Sequence, residues 1–354
     1  MTPRFVPLSK IGQGAFGSVY CAHDSVTGAE VAVKSIRVDM SQPKSAIREM
    51  RALQKVSGIS TFIVPLIDVQ TRRGELMLIM PFIPCSLASV LAARNHKLPE
   101  SYVGLLSHML LSGVAAIHAE GLMHRDIKPA NLLISSSGLL LIADFGQTRE
   151  FHPRQGGSMS HAVATRWYRA PELLFGARKY QQSVDTWACG CVIAELLTLS
   201  PLLPGDTDID QLLKVTQLMG SPTAARWPGV ESLPDYGKIE LPSDVPPMSL
   251  RSVMPSTSDE AILILSRMLR YDGMTRASPR SLLGADWTRR SSCTRPLTAP
   301  ELVSPRSTSE AAACAATDAG TVQRQSRAQA LAKSLAFPRA CETRQRLLRV
   351  RLAV

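Results

Sequence analysis

The sequence predicts an α+β fold in two lobes: a small sheet-rich lobe over residues 1–83 and a larger helical lobe over residues 84–288. A basic tail without fixed structure follows over residues 289–354. Three observations carry this. A glycine-rich stretch near the N-terminus is flanked by β-branched and aromatic residues. From about residue 88 the pattern changes to long apolar helices. From about residue 290 the chain turns to Ser, Thr, Ala, Arg and Pro with little periodicity, a composition too polar to bury a core.

The first element is IGQGAFGSVY, residues 11–20, with Gly12, Gly14 and Gly17 spaced Gly-x-Gly-x-x-Gly. Residues without a Cβ let the chain turn tightly and bring backbone N–H groups near an anion. The spacing alone leaves three readings open: the pyrophosphate of a dinucleotide, the phosphates of ATP, or an ordinary turn. The residues after the glycines decide between the nucleotides. Ser18, Val19 and Tyr20 lead to EVAVK, which reads as strand, turn, strand, whereas a dinucleotide fingerprint opens a helix. Lys34 ends this hairpin and, taken alone, reads as a surface lysine. In SQPKSAIREMRALQKV, residues Ile47, Met50, Leu53 and Val56 recur every three positions and mark one buried helical face. Glu49 sits beside that stripe and, taken alone, reads as a solvated helix charge. Further strands end in ELMLIMPFI and complete the small lobe.

Two long helices, SYVGLLSHMLLSGVAAIHAEG and SVDTWACGCVIAELLTL, frame the larger lobe around a polar loop region. His108 and His118 on the first helix read as packing or surface residues. Cys189 and Cys191 stand at i and i+2 on the second, where they face different sides, so they read as core packing rather than a metal pair.

With 354 residues and 45% hydrophobic content, the chain has material for a substantial core. Seven cysteines, odd in number and scattered, do not form a disulfide framework. No signal-peptide stretch opens the sequence, and no run approaches the roughly 18 apolar residues of a membrane span. The expectation is a soluble, reduced protein of the cytoplasm or nucleus. Net charge is +11, but residues 289–354 hold 12 Lys and Arg against 4 Asp and Glu, so the body is nearly neutral. That argues against a nucleic-acid-binding core. Within the tail, SRAQALAKSLAF has the pattern of a short helix formed on binding. RQRLLRVRLAV alternates basic and apolar residues and reads as a solvated basic end, with a docking or localisation signal as the alternative.

The chemistry lies in HRDIKPAN at 124–131, LLLIADFGQTR at 139–149 and TRWYRAPE at 165–172. Together with Gly-x-Gly-x-x-Gly and Val-Ala-Val-Lys, these segments resemble the protein kinases, which implies the bilobal kinase fold with ATP and Mg²⁺ as cofactors. Phosphoryl transfer asks a protein to hold a polyanion, neutralise growing charge and aim a hydroxyl in line. By this resemblance Lys34 grips the α and β phosphates and Glu49 holds Lys34. Asp144 and Asn131 take the metal ions, Asp126 accepts the substrate hydroxyl proton, and Lys128 meets the γ-phosphate. Ile11, Gly12, Gln13, Gly14, Ala15, Phe16, Gly17 and Val19 cover the nucleotide. Ala32, the gatekeeper Met80, the hinge residues Pro81, Phe82 and Ile83, and Leu133 hold its adenine. Lys-Pro-Ala-Asn after Asp126 is similar to the Ser/Thr-specific kinases.

The resemblance narrows to the CMGC group. PKSAIRE is similar to the helix that cyclins seize in cyclin-dependent kinases, and LMGSPT to the start of the CMGC insert. HRDIKPANLLIS, VATRWYRAPELLFGARKY, SPLLPGDTDIDQL and WPGVESLPDYGKI resemble the cell-cycle-related kinases, over roughly residues 5–288. Arg48, Arg125 and Arg149 match the three arginines that grip an activation-loop phosphate, and Ser160 matches its acceptor. Ser158 or an acidic partner is the alternative. Val163, Thr165 and Arg169 match the pocket that favours proline after the target residue. Asp185 braces the catalytic loop, and Glu172 pairs with Arg276. Ala15 and Phe16 replace the inhibitory Thr-Tyr of the cell-division kinases, while Gln147 and Thr148 replace the usual Leu-Ala after Asp-Phe-Gly.

The implied activity is proline-directed Ser/Thr phosphorylation, activated through Ser160. The implied partners are Ser/Thr-Pro protein substrates, a cyclin or cyclin-like activator and an upstream activating kinase. Ser304 precedes Pro305, so the tail is a candidate substrate of the chain itself. The family resemblance adds the cilium or flagellum as a location. The alternative is a catalytically weak kinase-fold scaffold acting through partners or its basic tail. That reading predicts loss of Lys34, Asp126, Asn131 or Asp144, and all four are present.

Overall fold

A computed structural model describes residues 4–14, 17–37, 44–72, 74–151, 165–292, 296–297 and 302. The glycine-rich stretch is a hairpin, as its flanking residues predict. Strand β1 (Phe5–Gly14) pairs antiparallel with β2 (Gly17–Asp24), and β3 (Glu30–Arg37) continues the sheet. With β4 (Asp68–Arg72) and β5 (Glu75–Pro81) it forms five strands in the order β1-β2-β3-β5-β4. Side chains alternate across a strand. On β3, Val31 and Val33 therefore enter a small cluster with Phe5, Ala22 and Ile79, while Ile36 turns the other way into the main core.

Helix α1 (Lys44–Val56) lies between β3 and β4 in sequence. Its inner face differs from the expected stripe. Leu53 and Val56 are buried, but Ile47 and Met50 are only half-buried, and Ala46, Glu49 and Ala52 take the inside positions. A strict three-residue repeat lags the 3.6-residue turn by about 60° per step and drifts off one face.

The larger lobe begins with β6 (Cys85–Ser86) and α2 (Leu87–Ala93), whose start is fixed by a reciprocal capping box between Ser86 and Ser89. Helix α3 (Glu100–Ala119) follows, then β7 (Leu122–Met123), β8 (Leu132–Ile134), β9 (Leu140–Ile142) and β10 (Arg149–Glu150). Beyond the activation segment come α4 (Pro171–Leu174), α5 (Ser183–Thr198) and α6 (Asp208–Met219), and then α7 (Leu250–Val253), α8 (Asp259–Met268), α9 (Pro279–Leu283) and α10 (Asp286–Ser291).

Helix α5 is buried along nearly its whole length, with Trp187 among the largest fully enclosed side chains. Each large apolar side chain enclosed this way contributes about 1.5–3 kcal/mol. Among the described residues one stretch is long and apolar enough on average to cross a membrane, although polar residues interrupt it and no run of 18 apolar residues occurs in it. It is α3, and 67% of its apolar window is buried within the fold. Its hydropathy is that of a core helix, with the consecutive residues Tyr102, Val103, Gly104, Leu105 and Leu106 all buried and so packed all round. Packing also continues past residue 288. Tyr102 donates to the Leu297 carbonyl, Arg94 donates to the Leu302 carbonyl, and Leu302 is fully buried.

Candidate active site

Lys34 sits on the α1 side of the sheet, and its ammonium donates to Glu49 Oε1 at 2.5 Å and to Asp144 Oδ1 at 2.8 Å. Taken one at a time, Lys34 and Glu49 read as solvated charges, yet they are 9% and 2% exposed. Each is buried because the other neutralises it. Burial opposes the charge on Lys34, but the two carboxylates outweigh it and raise its pKa. Two carboxylates share this one ammonium, so their acidities are pushed apart. Burial drives the Glu49 carboxyl up against the pull of Lys34. At Asp144 burial acts the same way, but Lys34 outweighs it and the carboxyl is held below its usual range.

The catalytic loop hangs from α5. Asp185, fully enclosed near the start of that helix, accepts from the His124 N–H at 2.8 Å, the Arg125 N–H at 2.7 Å and His118 Nε2 at 2.9 Å. Burial would raise the Asp185 carboxyl, but the bond to His118 and the other neighbours hold it low. His118 is thus a brace for the loop. His124 is fully buried, accepts from the Asp126 N–H at 3.2 Å, sits 3.1 Å from the Ala143 carbonyl and meets Phe145 edge to face. Arg125 and Asp144 both hold left-handed backbone, at φ 67° and 61°. Non-glycine residues do so where surrounding contacts over-determine the chain, commonly at functional sites.

Asp126 is clamped from several sides. Its Oδ2 accepts from Asn131 Nδ2 at 2.9 Å and from Lys128 Nζ at 2.9 Å, while Oδ1 accepts from the Thr165 N–H at 3.2 Å. Asn131 Nδ2 also donates to the Asp126 carbonyl. That leaves Asn131 Oδ1 as a hard oxygen, and the Asn131 carbonyl accepts from the Ala143 N–H, next in the chain to Asp144. Among the described residues no three His, Cys, Asp or Glu side chains cluster as a metal cage. One carboxylate plus one amide oxygen fits Mg²⁺, which keeps waters and takes phosphate oxygens for the rest of its shell.

The three arginines expected around an activation phosphate come together from α1, the catalytic loop and β10. Burial lowers the pKa of Arg48, and the nearby charges of Arg149 and Arg125 lower it further. Arg125 donates to the Gln147 carbonyl at 2.8 Å and to the Tyr180 hydroxyl at 2.6 Å, and burial, with Arg149 adding to it, lowers its pKa as well. Arg149 Nε is buried without a hydrogen-bond partner among the described residues. Ser158 and Ser160 lie outside the described residues, as do Val163, Ala15, Phe16 and nearly all of the tail.

Ile11, Gly12, Gln13 and Gly14 end β1, and Gly17 and Val19 open β2. Ala32 pairs in register with Met80, and Val31 with Pro81. Phe82 N–H reaches back to the Glu30 carbonyl at 3.4 Å, next to Ile83, and Leu133 stands on β8 opposite Ser86 of β6. Val19, Ala32, Met80, Pro81, Phe82, Ile83 and Leu133 are all half-buried, the exposure of apolar side chains lining an open cleft. Arg169 Nη1 donates to Asp208 Oδ2 at 3.1 Å. Glu172 and Arg276 form a two-pronged ion pair at 2.7 and 2.6 Å within the large lobe. Cys189 and Cys191 are enclosed in the core, where burial raises both thiols far above their usual range.

Sequence reasoning missed His118, His124, Tyr180 and Asp208. His124 adjoins the catalytic motif and was the one within reach of a local signal. The others act across 39 to 67 residues of chain, and no short spacing points to them.

The family description of the protein kinase domain matches residues 5–288. Among curated proteins, the chain is 44% identical over 279 residues to Cyclin-dependent kinase 20 of Danio rerio, covering 78% of this chain and 80% of that one. It is 44% identical over 284 residues to Cyclin-dependent kinase 20 of Homo sapiens, covering 79% and 82%. To Cyclin-dependent kinase D-1 of Arabidopsis thaliana it is 39% identical over 305 residues, covering 85% and 75%.

Proposed function

From the premise that the chain belongs to the protein kinase family, as an ATP-dependent Ser/Thr kinase of the cyclin-dependent type in the CMGC group, we propose that it is proline-directed and activated by phosphorylation of Ser160. The observation that carries the catalytic part is the Lys34 ammonium held between Glu49 and Asp144. In this reading Lys34 is a pre-placed cation for the α and β phosphates, kept charged by its two carboxylates. Asp144 and Asn131 would hold Mg²⁺, whose charge would offset that growing on the phosphates. Asp126, fixed by Asn131 and the Thr165 N–H, accepts the proton of the substrate hydroxyl, and Lys128 beside it meets the transferred phosphate. Ile11, Val19, Ala32, Met80 and Leu133 enclose adenine, with the Pro81 carbonyl and Ile83 backbone for its polar edge.

Activation follows from charge. Arg48 is repelled by Arg125 and Arg149, and among the described residues no carboxylate forms a salt bridge to the three side chains, although Asp185 attracts Arg125. A phosphate of about −2 charge on Ser160 supplies the missing anion and ties α1 to the catalytic loop. A cyclin-type partner pressing on α1 would act on the same lever, since α1 carries both Arg48 and Glu49. Arg169 and Thr165 shape the pocket for proline after the target residue. The test is radiolabelled phosphate transfer from Mg-ATP to a Ser-Pro peptide and its Ser-Ala twin, with Asp144→Asn and Ser160→Ala beside the parent chain. Transfer that needs Asp144, favours Ser-Pro and falls sharply in Ser160→Ala supports every part. Equal use of both peptides removes proline direction, and full activity in Ser160→Ala moves the switch elsewhere.

A further inference from the structure

Two arginine groups flank the activation segment, and the fold treats them in opposite ways. Arg48, Arg125 and Arg149 meet with no carboxylate in salt-bridge contact with their side chains among the described residues, and only Asp185, behind the catalytic loop, attracts Arg125. Arg166 and Arg169, by contrast, converge on one internal anion. Arg166 Nε donates to Asp208 Oδ1 at 2.8 Å, and Arg169 Nη1 to Asp208 Oδ2 at 3.1 Å.

The carboxylate is itself fixed. Asp208 is the first residue of α6, capped by Thr207 on the Asp210 N–H, where the helix end favours a negative charge. The loop before it is tied to the activation segment twice more. Trp167 Nε1 donates to the Gly205 carbonyl at 3.0 Å, and Arg166 Nη1 to the Asp206 carbonyl at 3.0 Å. Gly205 in turn presses on α6, with no space for a side chain against the Gln211 backbone. Burial would raise the Asp208 carboxyl, but its two arginines outweigh that and keep it ionised.

We propose that Asp208 is a positioning residue for Arg169 and thereby sets the preference for proline after the phosphorylated residue, so that this half of the activation segment is assembled without a phosphate of its own. The inference rests on the proline-directed reading, in which Arg169 shapes the pocket for that proline. A long arginine side chain loses several rotatable bonds when it is fixed in one orientation. Arg169 is only 13% exposed at its side chain, whereas Asp208 is 57% exposed, so the acid faces water and the base faces the platform. Arg166 holds the other carboxylate oxygen and keeps Asp208 from turning away.

The experiment measures kcat/KM on Ser-Pro and Ser-Ala peptides for the parent chain, Asp208→Asn, Asp208→Glu, Arg169→Gln and the Asp208→Asn/Arg169→Gln double variant, with melting temperatures alongside. A half-exposed charge pair is worth up to about 1 kcal/mol, or about five-fold. The Pro/Ala ratio is therefore expected to fall about five-fold in Asp208→Asn through loss on Ser-Pro alone, and to recover in Asp208→Glu. The double variant is expected to lose no more than Arg169→Gln. A merely structural role would lower both peptides together and leave the ratio intact, and that result overturns the proposal, as does a double variant whose losses multiply. A parent chain with no preference between the peptides instead removes the proline-directed reading, and this inference with it.

Discussion

Lys34 Nζ lies 2.5 Å from Glu49 Oε1, which joins the third strand of the sheet to the helix beside it through a pair closed to water. Burying two charges costs several kcal/mol each, and mutual attraction offsets that only in good geometry. The pair is therefore better explained by placement than by stability: it fixes where a cation stands in the cleft.

Glu49→Gln separates the two roles. The folded-state pKa of Glu49 is raised by burial, so ionised Glu49 weighs against the fold as pH rises through that value. Because Asp144 still pairs with the Lys34 ammonium, removing the Glu49 charge should cost less than the roughly 3–5 kcal/mol of leaving a buried charge unpaired. Phosphate transfer should fall about 100-fold, because Lys34 is then drawn to Asp144 alone. Urea unfolding and single-turnover transfer measured on the same samples decide it. A variant that loses stability but keeps its rate would show the pair to be structural.

The hairpin and the catalytic motifs were legible because their signals are local. Glycine spacing followed by Val19 and Tyr20 reports a turn between strands within ten residues, and so does the alternation in EVAVK. Lys34 and Glu49 were misread singly because burial of a charge depends on a partner that composition cannot show. The α1 stripe was misplaced because its apolar repeat of three cannot stay on one face, and small residues, Ala46 and Ala52, fill the inside instead. His118 looked like packing because its partner, Asp185, is 67 residues away. Long-range pairs of this kind follow from how α3 lies against α5, which no window along the chain contains.

Asp185 predicts an acid dependence. Its carboxyl is held low in the folded state, so its contribution is present above the unfolded value of about 4 and is lost as pH falls through the folded pKa. Asp185→Asn should cost about 2–4 kcal/mol at pH 7, because an amide cannot accept from three donors. The gap between the urea midpoints of parent and variant should then shrink as pH drops below about 4. A gap that stays constant down to pH 2 would mean that the charge on Asp185 is not what holds the catalytic loop.

Thr148 departs from the usual alanine after Asp-Phe-Gly, and its hydroxyl is fully buried with no hydrogen-bond partner among the described residues. An unsatisfied buried hydroxyl costs about 1–3 kcal/mol. Thr148→Val keeps the branched shape and removes the oxygen, so it should raise stability by about 1 kcal/mol. Thr148→Ser keeps the hydroxyl and loses a methyl, so it should lower it. The two variants moving in the same direction in thermal unfolding would exclude this account.

Gly12 and Gly17 of the N-terminal hairpin are alike in sequence and unlike in need. Gly17 has φ +148°, and a Cβ there would lie 2.0 Å from the Ser35 carbonyl oxygen on β3. Neither the backbone angle nor the contact can be relieved without parting β2 from β3, which pair through Ser18 and Ser35 at this point. At Gly12 the same atom would meet Val19 at an ordinary 3.7 Å. Gly17→Ala should therefore destabilise the small lobe by about 2–4 kcal/mol. It should also raise amide exchange across β2 and β3, where the opening would be local. Gly12→Ala should leave both within error of the parent while lying over the same nucleotide cleft. Hydrogen exchange on the two variants without nucleotide measures this directly. Equal protection in Gly17→Ala and Gly12→Ala would show that the close approach at Ser35 yields freely, and that these glycines act only on the bound phosphates.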